Sequence, residues 1–135
     1  MVSKADIQKV IGVLAREYPN ATTELKYRNP FELLVATVLS AQSTDIKVNL
    51  VTPNLFKRYP NVKTFAAAKE SEIEKEIRSI GLSKQKARNL TNLAQQLITE
   101  HQGNIPTNIT QLTRLSGVGR KTANVVLAHA LGLPG

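Results

Sequence analysis

Apolar residues recur along this chain at three- and four-residue spacing, the period that places them on one face of an α-helix. Residues that start or stop helices, mainly Asn, Ser, Gly and Pro, separate the periodic segments. The pattern predicts about seven helices and no convincing strand, so we expect an all-α fold. The expected helix starts lie near Ser3, Pro30, Ser43 or Thr44, Ser71, Ser83, Asn108 and Arg120.

Local signals make some of these helix predictions specific. The segment Asn29-Pro30-Phe31-Glu32 is a strong helix start, because Asn caps helices, Pro fits the first position and Glu favours the first turn. The apolar run that follows predicts a central, buried helix. Ser71 and Glu74 have the spacing of a capping box, for a helix that runs to Gly81. Pro53 is expected to kink or break the helix around it.

Composition excludes several classes of protein. The chain has 135 residues, which predicts one domain with its own hydrophobic core. It contains no cysteine, which excludes a disulfide scaffold, a thiolate zinc site, a cysteine nucleophile and a cysteine-ligated iron–sulfur cluster within these residues. No apolar run approaches the roughly 18 residues of a membrane helix, and the start lacks a signal-peptide core. We expect a cytoplasmic protein that does not enter a membrane.

The charge of the chain is strongly positive and unevenly distributed. Lys and Arg number 18 against 10 Asp and Glu, a formal net charge of +8. From residue 83 onward the only acidic residue is Glu100, and more than half of the net charge lies there. A polyanionic partner is therefore expected to meet this part of the chain.

The turn Gly117-Val118-Gly119 lies between two short predicted helices. Its glycines can adopt positive φ and bring the backbone close to a ligand, and the following helix would present free N–H groups to an anion. Arg120 rules out a P-loop, which needs Gly directly before Lys121, and Thr122 stands where a dinucleotide fingerprint needs Gly. The pattern resembles a helix–hairpin–helix that binds DNA phosphate. A glycine-kinked helical hairpin without a ligand is the alternative.

A second polar cluster, Ser40-Ala41-Gln42-Ser43-Thr44-Asp45, joins the apolar helix to the next one. Spacing alone predicts a turn between two helices with a cap, and assigns no chemistry to it.

Three motifs in this order resemble the endonuclease III family of helix–hairpin–helix DNA glycosylases: Ser40–Asp45, Ile80-Gly81-Leu82 and Gly117–Leu127. The similarity runs through essentially the whole chain, and Ser116 stands where the family usually has Pro. The resemblance implies that residues 23–135 form a six-helix barrel, with the helix–hairpin–helix at about 108–131. Residues 1–22 would be the N-terminal helix of a second lobe, which carries a [4Fe-4S] cluster in full-length family members. We expect no cofactor in this chain, and we expect the N-terminal helix to promote self-association.

The resemblance also implies roles for individual residues. Lys121 would be the nucleophile, Gln42 would fill the space left by a flipped nucleotide, and Leu82 would wedge the opposite strand. The remaining implied roles are a damaged-base pocket and DNA contacts near the hairpin. Ser40 and Asp45 would line the pocket, and the DNA contacts would come from Gly117, Val118, Gly119, Arg120 and Thr122.

The implied substrate is double-stranded DNA with an oxidised pyrimidine or an abasic site, which places the protein at the nucleoid. The implied reaction is base removal and strand cleavage through a lysine Schiff base and β-elimination. The family also uses an Asp that follows the last helix seen here, so we expect these 135 residues alone to be weakly active or inactive. A non-enzymatic helix–hairpin–helix DNA-binding module and an all-helical protein-interaction domain are the alternatives.

Overall fold

The computed structural model describes residues 24–130, so the helix expected at 3–18, within the segment 1–22, lies outside the described residues. Within residues 24–130 the regular structure is entirely helical, which confirms the all-α prediction. The described part of the chain has seven α-helices, which are α1 (Pro30–Ser40), α2 (Asp45–Arg58), α3 (Val62–Ala67), α4 (Glu70–Glu76), α5 (Ser83–His101), α6 (Ile109–Leu112) and α7 (Arg120–Val125), and a π-helical turn (Val126–Ala130) continues α7.

Helix α1 is the centre of the core, as its apolar run predicts. Every residue from Phe31 to Leu39 is buried, and α1 packs against α2, α5, α7 and the π-helical turn. Its start is as expected: Asn29 is the N-cap, and its side chain accepts a hydrogen bond from the Glu32 N–H at 2.9 Å. The Glu32 carboxylate is itself buried and pairs with Arg28 at 2.6 Å.

Helix α5 is the longest helix of residues 24–130 and packs across α3, α4 and α1. Its buried face is formed by Lys86, Ala87, Leu90, Thr91, Leu93, Ala94 and Leu97. The helix ends at His101, and just beyond it Gly103 has a φ of 81° and its N–H donates to the Leu97 carbonyl at 2.8 Å. Helix α5 therefore presents one buried face to three other helices.

Pro53 was expected to kink or break its helix, and the break does not occur. Helix α2 begins after the N-cap Thr44 and continues through Pro53 to Arg58. Leu55 and Phe56, beyond the proline, are buried. A proline inside a helix costs about 3 kcal/mol, whereas burying each such side chain contributes about 1.5–3 kcal/mol. Packing therefore keeps the helix continuous.

The capping box predicted at Ser71 is also wrong. Helix α4 starts at Glu70 after Lys69, which makes no side-chain cap, and it ends at Glu76 rather than at Gly81. The Glu74 carboxylate instead accepts hydrogen bonds from Arg78 at 2.8 Å and from the Ser83 hydroxyl at 2.7 Å. These partners hold the pKa of Glu74 below its usual value. The Glu74 carboxylate is therefore not free to accept a hydrogen bond from a backbone N–H at the start of its own helix.

A capping box does occur at a helix that the sequence did not predict. Asn61 and Thr64 exchange hydrogen bonds at the start of α3. Phe65 is the single buried residue of this short helix, so no apolar period marks it. Its ring packs edge-on against Phe31, with ring centroids 5.3 Å apart.

Candidate nucleic-acid interface and active site

The turn between α1 and α2 holds Gln42 in an unusual conformation. Gln42 has a φ of 59°, in the left-handed region that residues with a Cβ rarely adopt, and it is exposed. The turn closes through a hydrogen bond from the Ser43 N–H to the Ser40 carbonyl at 3.0 Å. The Thr44 side chain then caps α2 by accepting from the Lys47 N–H at 3.1 Å.

Leu82 is the second exposed residue in this conformation. It is the N-cap of α5, with a φ of 61°, and 54% of it is exposed. An exposed leucine in this position contributes little to the core. Gln102, the C-cap of α5, is also exposed and left-handed, with a φ of 56°.

The structure brings the Gln42 turn and the Leu82 turn together. A Cβ placed on Gly81 would lie 3.8 Å from the Gln42 carbonyl oxygen, which is ordinary van der Waals contact. Two residues that are far apart in the sequence thus stand on adjoining turns, and each is exposed and left-handed.

The two glycines of the hairpin between α6 and α7 have different roles. Gly117 has a φ of 81°, and a Cβ there would lie 2.8 Å from the Asn89 Cβ. Gly119 is the N-cap of α7 with a φ of −97°, and a Cβ there would meet nothing within 4 Å. The expected positive φ is therefore found at Gly117 and not at Gly119, where the missing side chain leaves the end of α7 open.

The predicted DNA contacts are placed around this open end. Arg120 and Lys121 are exposed in the first turn of α7, and Thr122 is half-buried beside them. The first amides of a helix lack intrahelical acceptors and are free to bind an anion. Val118 differs, because its side chain is buried and its N–H already donates to the Leu115 carbonyl at 3.1 Å.

The hairpin is fastened to α5 by residues that sequence reasoning missed. The Ser116 hydroxyl donates to Asn89 Oδ1 at 2.9 Å, and the Ser116 N–H donates to Gln96 Oε1 at 2.7 Å. Gln96 Nε2 donates in turn to the Arg114 carbonyl at 3.1 Å. No local pattern marks Asn89 or Gln96, since they are ordinary polar residues on a helix. The unusual Ser116 was the one available signal, because it keeps an N–H that Pro would lack.

The side chains of the two residues predicted to line a base pocket form hydrogen bonds with backbone groups. The Ser40 hydroxyl donates to the Thr37 carbonyl at 2.8 Å. Asp45 Oδ2 accepts from the Glu24 N–H at 3.0 Å, and Asp45 is half-buried in the first turn of α2. Both side chains are thus fixed at the two ends of the Gln42 turn.

The described residues offer no place for a metal cluster or a membrane span. Within residues 24–130, no three His, Cys, Asp or Glu side chains are grouped so that they could hold a metal ion. The full chain has no cysteine, so its residues do not fit an iron–sulfur cluster. In the same part of the chain, every helix is too short or too polar to cross a bilayer.

The chain belongs to the HhH-GPD superfamily of base excision DNA repair proteins, whose family model matches residues 35–130. Within it, the curated relatives are endonucleases III. The Synechocystis enzyme is 46% identical over 125 residues, which cover 93% of this chain and 57% of the relative. The Escherichia coli K12 enzyme is 43% identical over 136 residues, covering 98% and 63%. The chain thus spans about three fifths of the length of these relatives.

Two solved structures extend the similarity to the fold. A non-covalent Endonuclease III–DNA complex matches with a TM-score of 0.83 at 47% identity, over 100% of this chain and 63% of that one. A trapped Endonuclease III–DNA covalent intermediate matches with a TM-score of 0.81 at 47% identity, over 98% and 62%. The resemblance deduced from the three motifs is confirmed.

Proposed function

We propose that this chain is the barrel part of an endonuclease III-type DNA glycosylase and abasic-site lyase. Its substrate is double-stranded DNA that holds an oxidised pyrimidine or an abasic site. The observation that carries the proposal is the pair of adjoining turns that present Gln42 and Leu82, both exposed and left-handed. The relatives with solved DNA complexes support the same activity. A DNA substrate places the work of the protein at the nucleoid, in the cytoplasm.

DNA binding begins at the hairpin. The amides in the first turn of α7 bind a phosphate, and Gly119 gives that phosphate room to approach. Arg120 adds positive charge at the same place. Backbone amides contact phosphate and not base edges, so this contact sets the position of the protein on DNA without reading its sequence.

The two adjoining turns open the duplex. A damaged nucleotide has to leave the base stack, because its reacting atom is otherwise shielded. Gln42 fills the space that the nucleotide vacates, and Leu82 enters the opposite strand. Ser40 and Asp45, at the two ends of the Gln42 turn, then line the pocket that receives the base.

Lys121 supplies the chemistry. Its unprotonated amine attacks C1′ of the damaged nucleotide, and the base departs with a proton. The bond from C1′ to the ring oxygen O4′ then breaks, and O4′ takes up a proton. At an abasic site the amine attacks the open-chain aldehyde, and water departs. Either route gives a Schiff base between the lysine nitrogen and C1′. Loss of a 2′ proton then moves an electron pair toward C3′, and the bond from C3′ to the 3′ phosphate breaks.

Borohydride trapping on abasic DNA tests this assignment. Borohydride reduces the Schiff base to a stable covalent adduct, which gel electrophoresis detects. We expect the parent protein to form the adduct and Lys121→Ala to form none, with unchanged helical circular dichroism. Lys84→Ala removes an exposed lysine of α5 outside the proposed site and is expected to trap as the parent does.

Two outcomes contradict the proposal in different ways. Equal trapping by Lys121→Ala and the parent shows that another group is the nucleophile. A parent that binds DNA but forms no adduct is a helix–hairpin–helix binding module without lyase activity.

A further inference from the structure

Lys86 is a buried charged group that the proposed function leaves without a role. It lies in the first turns of α5 and is 4% exposed. Burial lowers its pKa, because the ammonium loses its water. A buried charge of this kind persists only when hydrogen bonds replace that water.

The side chain of Lys86 binds the end of α1. Its Nζ donates to the Leu39 carbonyl at 2.9 Å and to the Ala41 carbonyl at 2.6 Å. Leu39 lies in the last turn of α1, and Ala41 is the C-cap. Carbonyls at a helix end lack intrahelical partners and attract a cation. The ammonium therefore fixes the backbone immediately before Gln42.

The backbone of Lys86 holds the other turn. Its N–H donates to the Leu82 carbonyl at 2.9 Å. A single residue is thus bonded to the Gln42 turn through its side chain and to Leu82 through its main chain.

Gln42 and Leu82 both need such support. Their left-handed backbone places a Cβ close to a carbonyl oxygen, so the conformation persists only where neighbouring contacts impose it. We propose that Lys86 is a positioning residue, which fixes the spacing of Gln42 and Leu82 so that both enter the duplex as one rigid unit. This inference rests on the proposed function.

The test compares three variants of the full chain. Lys86→Met keeps the length of the side chain and removes its donors, while Lys86→Arg keeps donors that can reach two carbonyls. Lys84→Met is the matched control, because it changes charge equally on an exposed residue of the same helix. The probes are an undamaged duplex and one with a tetrahydrofuran abasic analogue opposite 2-aminopurine. Anisotropy measures affinity, and 2-aminopurine fluorescence at saturation measures unstacking of the opposite base.

We expect the parent to prefer the abasic-analogue duplex. Lys86→Met should reduce this preference about tenfold and reduce the fluorescence rise, because the Leu39 and Ala41 carbonyls lose their donor and the turns lose their spacing. Its affinity for undamaged DNA should stay within about twofold, since the hairpin is intact. Lys86→Arg should retain most of the preference, and Lys84→Met should retain all of it.

The outcomes separate this inference from the proposed function. A parent without preference for the abasic analogue overturns the proposed function, and this inference with it. A parent with that preference and a Lys86→Met variant with equal preference overturn the inference alone.

A second measurement covers the case in which Lys86→Met does not fold. Gln42→Ala and Leu82→Ala, singly and together, are measured on the same probes in the parent background. A rigid unit predicts that the double variant loses little more preference than either single variant. Losses that simply multiply would overturn the inference.

Discussion

At Gly117 two separate constraints act on one residue. Its φ of 81° disfavours any side chain, and the Asn89 side chain occupies the space where a Cβ would lie, 2.8 Å away. The Asn89 side chain is held in place, because its Oδ1 accepts a hydrogen bond from the Ser116 hydroxyl. Gly119, two residues later, has neither constraint. The two glycines of one turn therefore serve different purposes. Gly117 stabilises the turn, and Gly119 leaves room for the phosphate proposed to bind at the start of α7.

Alanine substitutions separate these purposes. Gly117→Ala should reduce the free energy of unfolding by about 3 kcal/mol, from the left-handed backbone and the clash together. Gly119→Ala should reduce it by only about 1 kcal/mol or less, the cost of a poorer N-cap. Urea unfolding measures both changes.

The effect of Gly119→Ala on DNA affinity should be larger than its small effect on stability. The new methyl group of Gly119→Ala lies where the phosphate approaches, so its affinity for undamaged duplex should fall even though the protein stays folded. Unchanged affinity in Gly119→Ala would contradict the phosphate site proposed at α7.

Helix α5 supports both halves of the proposed DNA interface. Its first turns bind the Gln42 and Leu82 turns through Lys86, and its middle fastens the hairpin through Asn89 and Gln96. The hairpin contact depends on Ser116, which stands where the family usually has Pro. A serine there has an N–H that Pro lacks. Gln96 Oε1 accepts a hydrogen bond from that N–H.

A double-mutant cycle tests whether Gln96 and Ser116 depend on each other. Gln96→Leu should reduce the free energy of unfolding by about 1–2 kcal/mol, because the Ser116 N–H and the Arg114 carbonyl lose their partner. In the Ser116→Pro background that N–H is gone, so the same change should be less harmful. Thermal unfolding of the four proteins gives the coupling between the two sites. Strictly additive losses would show that the 2.7 Å contact is unimportant.

The elements that sequence analysis predicted correctly are those with local signals. Asn29 and Asn108 cap the helices that follow them, and the apolar run of α1 marks the centre of the core. Pro53 did not break its helix, because burial of Leu55 and Phe56 beyond it outweighs the lost hydrogen bond. Helix α3 was missed because a single buried side chain gives no period.

The candidate site divides in the same way. Motif resemblance was enough to nominate Gln42, Leu82 and Lys121. It did not reveal that the first two share adjoining turns, or that Lys86 connects them. Those contacts join residues up to 47 positions apart, and no local spacing in the chain encodes them.

For the molecule as a whole, we expect charge to govern the strength of the proposed DNA binding. The net charge of +8 is concentrated after residue 82, where α5 and the hairpin lie. Lys and Arg that neutralise phosphates release the counterions that surround DNA, so affinity depends on salt.

Salt titration should show this dependence directly. If about four phosphates are neutralised, the logarithm of the affinity falls with the logarithm of salt concentration with a slope of about −3.6. Unrelated undamaged duplexes should give similar affinities, because the contacts are to the backbone. Arg120→Ala should make the slope shallower by about 0.9. A slope near zero would contradict a nucleic-acid role for the whole chain.

The Gln42 and Leu82 turns have one further consequence, for the speed of searching. Contacts within the fold hold both in their left-handed conformations, because Lys86 bonds to the backbone before Gln42 and to Leu82. If the chain binds DNA as proposed, these turns need no slow rearrangement at each base pair that the protein meets while sliding. The slow step would then be the opening of the base stack. The stability of that stack decides whether the two side chains can enter the duplex. Gln42 and Leu82 should therefore enter fastest at weakly stacked base steps. A lesion that weakens the stacking of its neighbours would speed their entry in the same way.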